Sequence, residues 1–425
     1  VMGHEVALTI AGVGSNLAGQ FAVGERYLMQ ADVYYHGKNL AYGYALRGGL
    51  SQYNVLGDEV LRGDHGCYLI PVQPETGYAQ AALTEPWACV EAAYNIHYRQ
   101  GLQFGGVTWF VGARGGQSTS YEISMGFSEG AHPNTVILDG APPEFAAWVK
   151  ERADTLGVQV VEISGLASTE AYAQAQADLA PAGVDDLVFL GPVSPGRIAA
   201  AATMLRNGGL LNIVGEEPLA GSVDVDVGRL HYDHLTIVGG TGPDIAASYG
   251  PVRYTLHPSG RLWVLGAAGP MGQMHVQRAI EMEPRPQLIV ASNLGSARIN
   301  EVAEAFGEAA EERGIDLVTL TEQVLGPEAF GERLQELTAG QGFDDIVVLA
   351  ANTETIRAAA GYLAPHGVMN LFVGLPRGTT ARLDLNPVRD GRQVRFIGSS
   401  GSSIEDMQCM LDLTESGAIS PCLLY

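Results

Sequence analysis

Leu262-Trp-Val-Leu-Gly-Ala-Ala-Gly-Pro-Met-Gly-Gln273 is an apolar strand that runs into a glycine-rich turn and out into the start of a helix. Such a turn aims backbone N–H groups at the head of a helix, where a pyrophosphate can bind without a side-chain cation. Within the spacing G-x-G-x-x-G, Gly269 allows close approach of the phosphates and Gly272 allows tight helix–strand packing. Ala267 replaces the first glycine, with Gly266 just before it, and Pro270 and Met271 open the helix. The turn follows a strand and precedes a helix, so dinucleotide binding is expected rather than a simple packing turn. The next strand ends at Ala291-Ser-Asn293, 21 residues beyond Gly272, the position that meets the ribose. An acid there would favour NAD. Ser292 and Asn293 are neutral and Arg298 lies five residues on, which favours NADP over NAD; the plain alternative is that Arg298 is a solvated helix residue.

The surrounding chain repeats itself. Gly183-Val-Asp-Asp-Leu-Val-Phe-Leu190 returns 159 positions later as Gly342-Phe-Asp-Asp-Ile-Val-Val-Leu349. At the same shift Val238-Gly-Gly-Thr-Gly242 returns as Ile397-Gly-Ser-Ser-Gly401, and Leu211-Asn-Ile-Val-Gly215 as Asn370-Leu-Phe-Val-Gly374. A period this long is that of a whole α/β unit, not of a solenoid. From residue 105 onward buried-strand runs alternate with amphipathic helices, the pattern of parallel βαβ units. The expected architecture is therefore α/β, with two tandem doubly wound parallel sheets, Rossmann-like, over residues 100–250 and 251–425 and a join near Pro243 to Gly260. In the first copy Gly112-Ala-Arg-Gly-Gly-Gln-Ser118 aligns with Gly266 to Gly272. Gly115 is kept, Ser118 replaces the third glycine and Arg114 intrudes. Asp139 falls 27 residues after Gly112, as Asn293 does after Gly266, and is acidic. The first copy is read as structural and degenerate, with a second working nucleotide site (Gly112, Gly115, Ser118, Asp139) as the alternative. Gly398 and Ser399, at a strand end, are expected near the nicotinamide.

Composition narrows the function classes. With 425 residues, 55 Gly and 21 Pro, the chain has length for about three domains. Net charge is −23, from 47 acids against 24 bases, of which only Lys38 and Lys150 are lysines. Nucleic acid and anionic membrane are not expected partners, since both require clustered positive charge. No uncharged apolar run approaches the ~18 residues of a membrane span. Cys67, Cys89, Cys409 and Cys422 are widely spaced, so a reducing cytoplasm is the expected setting rather than a disulfide scaffold.

Residues 1–99 have a different texture, with short alternating strands such as Glu5–Ile10 between Gly, Asn and Asp turns, as in a small barrel or twisted sheets. Glu85–Tyr94 is expected to be helical, with Pro86 in its first turn. Three motifs stand in this region: Gly3-His4-Glu5; Gly24-Glu-Arg26 followed by Gly48-Gly49-Leu-Ser-Gln-Tyr53; and Thr84-Glu85-Pro86. Together they resemble the medium-chain zinc-dependent alcohol and polyol dehydrogenases, which carry G-H-E, G-D-R-V, G-G-x-A-E-Y and E-P in that order. The likeness leans to the L-sorbose 1-phosphate reductase branch through Glu85–Ala92, Gly269-Pro-Met-Gly272 and Gly342-Phe-Asp-Asp345.

The resemblance implies a GroES-like β-barrel catalytic domain, incomplete at its N-terminus, over residues 1–99. It implies zinc held by His4, Glu5 and Glu85. A catalytic zinc takes N, S or O ligands and keeps one position for a substrate oxygen. The family's usual cysteine ligand precedes G-H-E, and this chain opens on Val1, so material is expected to be missing at both ends. The four-cysteine zinc lobe is replaced by Asp32–Asn39, and a doubled nucleotide domain is not part of the usual plan. The plain alternative is that His4 and Glu5 only hydrogen-bond a turn. His36, His65, His97, His231 and His234 are read as loop or surface residues, Cys89 as core and Glu216-Glu217 as a solvated turn.

The function expected is NAD(P)(H)-dependent interconversion of a sugar or polyol alcohol, phosphorylated or not, and its ketone, in a homo-oligomer. Two alternatives stand beside it: a non-catalytic dinucleotide-binding or sensing protein, and a zinc-free reductase of the same superfamily.

Overall fold

The computed structural model describes residues 2–113, 120–250, 255–295 and 298–421. Near the N-terminus, β1 (Ala7–Thr9), β2 (Arg26–Met29) and β5 (Leu69–Pro71) form an antiparallel sheet in the order β1-β2-β5; β3 (Tyr34–Tyr35) and β4 (Lys38–Asn39) form a hairpin. Among the described residues these strands close no barrel, so the expected barrel domain is represented here by one small sheet and a hairpin. Leu28 and Met29 are fully buried, and Tyr42, Val60 and Tyr68 pack with Met29 in a separate small core.

The rest of the chain builds one 12-stranded sheet. Its first six strands are β6 (Val107–Gly112), β7 (Thr135–Asp139), β8 (Gln159–Ile163), β9 (Val184–Leu190), β10 (Leu205–Val214) and, after the short β11 (Val223–Asp226), β12 (Thr236–Gly240). The other six are β13 (Arg261–Leu265), β14 (Leu288–Asn293), β15 (Asp316–Thr321), β16 (Phe343–Val348), β17 (Leu363–Leu371) and, after β18 (Thr380–Leu383), β19 (Arg395–Gly398). The order is β8-β7-β6-β9-β10-β12-β19-β17-β16-β13-β14-β15. Each half therefore runs 3-2-1-4-5-6 in its own strand count, all parallel, the order of a doubly wound dinucleotide fold. The halves meet where β12 and β19 pair antiparallel, Ile237 opposite Phe396, and β11 pairs antiparallel with β18 beside that seam.

The strands read as near-continuous apolar runs because helices cover both faces. All seven residues of β9 are buried. One core runs across both halves from Trp109 and Phe189 to Trp263 and Phe343. The expected join near Pro243 to Gly260 includes the short turn Ile245–Ser248, and the sheet passes through the seam without a break.

The helix carrying Glu85 differs from expectation. It spans Tyr78–Ala92, so Pro86 lies in its interior rather than its first turn. Gln80 caps the entry, its Oε1 accepting from Gly77 N at 3.0 Å. An interior proline removes one N–H and crowds the carbonyl four residues back, costing about 3 kcal/mol, and burial of Trp87, Ala88 and Val90 offsets that loss. Among the described residues no helix is long and apolar enough to cross a membrane.

Candidate active site

The glycine turn forms as its spacing requires. Gly266 has φ +99°, and its N–H and that of Ala267 donate to Ser292 O at 2.8 and 3.0 Å, tying the turn to the end of β14. The helix Pro270–Glu281 starts at once, and a Cβ on Gly272 would collide with Gly266 O and Ala267 Cα. A Cβ on Gly269 would meet nothing closer than 3.8 Å, so that position is open on the side a phosphate would approach. Beyond the turn, Ser292 is buried and its hydroxyl accepts from Trp263 Nε1 at 2.7 Å. Its side chain faces the sheet interior, which corrects its expected place at a ribose. Asn293 is half-buried, its amide donating to Gly295 O at 3.0 Å, and Arg298 is exposed at the head of the helix Ile299–Glu312.

Asp139, at the end of β7, is engaged within the fold. It is fully buried, accepts from Tyr172 Oη at 2.9 Å and pairs with Arg197 Nη2 at 2.8 Å. Arg197 also donates to Tyr172 Oη at 2.9 Å and to Gly112 O at 2.6 Å. The carboxylate that would meet a ribose on the alternative reading of a second nucleotide site thus serves an internal ion pair. Gly115 and Ser118 lie outside the described residues.

The N-terminal motifs converge. Gly49 N donates to Gly3 O at 2.8 Å and Leu50 N to Met2 O at 3.0 Å. A Cβ on Gly48 would strike Gly3 O, which is why this crossing needs the glycine pair. His4 is held there against Tyr44, ring centroids 5.5 Å apart, with its Nε2 4.0 Å from Glu85 Oε2. One ligand atom from each of His4, Glu5 and Glu85 lies within 4.8 Å of the others. Burial, together with the nearby Glu5 and Asp32 carboxylates, pushes the Glu85 pKa up to about 8. An imidazole and two carboxylates, one of them buried beside other acids, form a donor set suited to a divalent cation. One helical turn on, Cys89 Sγ lies 3.9 Å from Glu85 Oε1. The i, i+4 spacing on one helix face was the available signal for that neighbour.

Asp32, whose charge acts on Glu85, lines a nearby cleft of about 540 Å³, with Gln30 and Tyr34 on its side and Ser399–Asp406, which follow β19, on the other. Gln30 Nε2 bridges the two walls, donating to Ser402 O at 2.7 Å. Gly398 lies where a Cβ would overlap Leu230 O, and Ser399 is buried with its hydroxyl donating to Asn370 Oδ1 at 3.1 Å. β13, β16, β17 and β19 run parallel, so the glycine turn and Ser399 share one edge of the sheet. Three strand steps of about 4.8 Å separate them, roughly 14 Å.

His65 and His234, both in turns, also line this cleft. His234 comes from the first half of the sheet and stands 3.5 Å from Ser400 Oγ. His231 is buried, its Nδ1 3.1 Å from Leu371 O, and burial lowers its pKa to about 4. Gln30, Asp32 and His234 have no motif around them; they reach the cleft only through long-range packing.

Residues 270–416 match the family model described as zinc-binding dehydrogenase. The L-sorbose 1-phosphate reductase of Klebsiella pneumoniae is 27% identical over 162 residues, 38% of each chain. The mannitol-1-phosphate 5-dehydrogenase of Aliivibrio fischeri is 29% identical over 168 residues, 39% of each chain. The matches thus span about two fifths of the length of these curated relatives. Among solved structures, an NADH complex of a short chain alcohol dehydrogenase from E. coli CFT073 aligns over 100% of this chain and 74% of its own, at 11% identity and a TM-score of 0.49. An NADP and zinc complex of Haloferax mediterranei glucose dehydrogenase aligns over 98% and 72%, at 10% identity and a TM-score of 0.46.

Proposed function

We propose that this chain, whose residues 270–416 match the zinc-binding dehydrogenase family model, is an NAD(P)-dependent oxidoreductase that interconverts a sugar or polyol alcohol and its ketone. The observation that carries the reading is the meeting of His4, Glu5 and Glu85 near a cleft whose far wall is the end of β19. The names of the similar reductase and dehydrogenase support the substrate class.

The dinucleotide would lie along the strand ends, its diphosphate at Gly266 to Gly272 and its nicotinamide toward Ser399. Asn293 and the exposed Arg298 suit a ribose carrying a 2′-phosphate, so NADP is favoured. His4, Glu5 and Glu85 would hold the zinc. When bound, the zinc acts as a Lewis acid on a substrate oxygen and the nicotinamide carries the hydride. The chain's own residues position and exclude. Gln30 and Ser402 hold the two walls at a fixed spacing, and Tyr44 fixes the His4 ring from one side. Glu85, raised in pKa, holds a proton until a cation takes its place. Asp32, Glu405 and Asp406 offer carboxylates to the cleft, and its described lining includes no Arg or Lys. Such a wall accepts hydroxyl donors and repels a dianion, so an unphosphorylated polyol or ketose fits it better than a phosphate ester.

The test measures bound zinc by elemental analysis and NADPH oxidation across ketoses, ketose phosphates and polyols. About one zinc per chain with turnover on neutral ketoses is expected. No metal and no turnover on any of them would end the reading. Arg298→Ala should raise the KM for NADP about tenfold or more and leave that for NAD unchanged.

A further inference from the structure

The seam between the two halves of the sheet carries a second crevice. His234 and Gln393 stand 159 positions apart, both with φ +49°, and each lines one crevice. His234 lines the cleft described above. Gln393 lines a cavity of about 410 Å³ between the end of β12 and the start of β19, walled also by Ser248, His257, His366 and Arg395. The two crevices have opposite chemistry. The first presents three carboxylates; the second presents an arginine and two histidines, with no carboxylate among its described lining residues.

Arg395 is only 9% exposed. Its Nη2 donates to Ser248 O and Tyr249 O, both at 2.8 Å, and its guanidinium lies 5.2 Å from the centre of the Tyr98 ring. Among the described residues neither Nη1 nor the buried Ser248 hydroxyl meets a hydrogen-bond partner. Burial lowers the Arg395 pKa to about 10, which still leaves it charged at neutral pH. A buried cation answered only by neutral carbonyls and a ring keeps much of its desolvation cost.

We propose that this cavity is a binding site for a small oxyanion of the phosphate class, with Arg395 as its charge partner and Ser248, His257 and His366 as hydrogen-bonding groups. A tetrahedral oxyanion presents acceptors in several directions, and the cavity is lined from a strand, a turn and two loops. Arg395 is itself buried, so its attraction for an anion is less screened than that of a surface arginine. The site is separate from the glycine turn and the His4 cluster, so it stands whether or not the dehydrogenase reading does.

Calorimetric titration of the full chain with inorganic phosphate, and separately with glycerol 3-phosphate, tests it. Saturable binding of one anion per chain is expected, weakened at least tenfold in Arg395→Met and about threefold or more in Ser248→Ala, with NADPH affinity unchanged in both. Ser248→Ala and His366→Asn carry the test if Arg395→Met does not fold. Tighter binding of the ester assigns the site to a phosphorylated metabolite, and equal binding to the free ion; both support the proposal. Binding that these variants leave unaltered, or a second NADPH that competes with phosphate, overturns it.

Discussion

Glu85 has a side chain only 10% exposed, between two further carboxylates that raise its proton affinity. A cation binding there must displace a proton, so affinity should grow with pH. Glu85→Gln keeps the size and removes the charge. Bound zinc should fall well below one equivalent, and alcohol oxidation should drop on the order of 100-fold or more, with the circular dichroism spectrum retained. His275 poses a different problem. It is fully buried on the helix Pro270–Glu281, its Nδ1 2.7 Å from Tyr94 Oη, and burial together with the Arg278 charge lowers its pKa to about 3. The unfolded chain protonates this imidazole near 6.5 while the folded chain keeps it neutral. Its contribution to stability is therefore complete above pH 6.5 and is lost as pH falls toward 3, on the order of 3 kcal/mol by pH 4. His275→Gln still offers Tyr94 an acceptor, so urea unfolding of that variant should show a flatter decline between pH 6.5 and 4 than the parent.

Among the elements, the strand–turn–helix at 262–273 is the most local and was the most legible. An apolar run, three glycines and a proline specify it within twelve residues. Gly272→Ala should abolish nucleotide binding and cost about 2 kcal/mol or more, because the added methyl meets Gly266 O and Ala267 within the turn; NADPH fluorescence titration and thermal unfolding read the two effects. The Tyr78–Ala92 helix was less legible, since Pro86 reads as a helix start while the packing of Trp87 and Val90 carries the helix seven residues further back. The small N-terminal sheet was legible only as alternating strands. Its pairing rests on contacts such as Leu28 with Ile70, far apart in the chain, which leave no periodic trace. His4, Glu5 and Glu85 were legible from two motifs, but the cleft near them was not. Asp32 and His234 arrive there from separate parts of the chain, and a lone Asp or His in a loop looks the same whether it faces solvent or a substrate.

At the scale of the molecule, the 159-residue shift foretold two α/β units of like order, and the sheet has that order on both sides of the seam. It did not foretell that their last strands pair antiparallel, because edge-to-edge pairing is set by exposed backbone rather than by side-chain pattern. The halves differ at the ends of their second strands. In the second, the end of β14 leaves Asn293 beside an open glycine turn. In the first, Asp139 is fully buried with its Oδ2 paired to Arg197, which also donates to the Gly112 carbonyl, so a ribose would have to open this buried ion pair to reach the carboxylate. Removing one member of such a pair costs about 3–5 kcal/mol, more than a ribose hydroxyl returns. NADPH should therefore titrate to one equivalent per chain, not two. Gly272→Ala should take that number to zero rather than to one, and Arg197→Met should lower the unfolding midpoint without adding a site. Two equivalents in the parent chain, with one surviving in Gly272→Ala, would show that the first half still binds a nucleotide despite its internal ion pair.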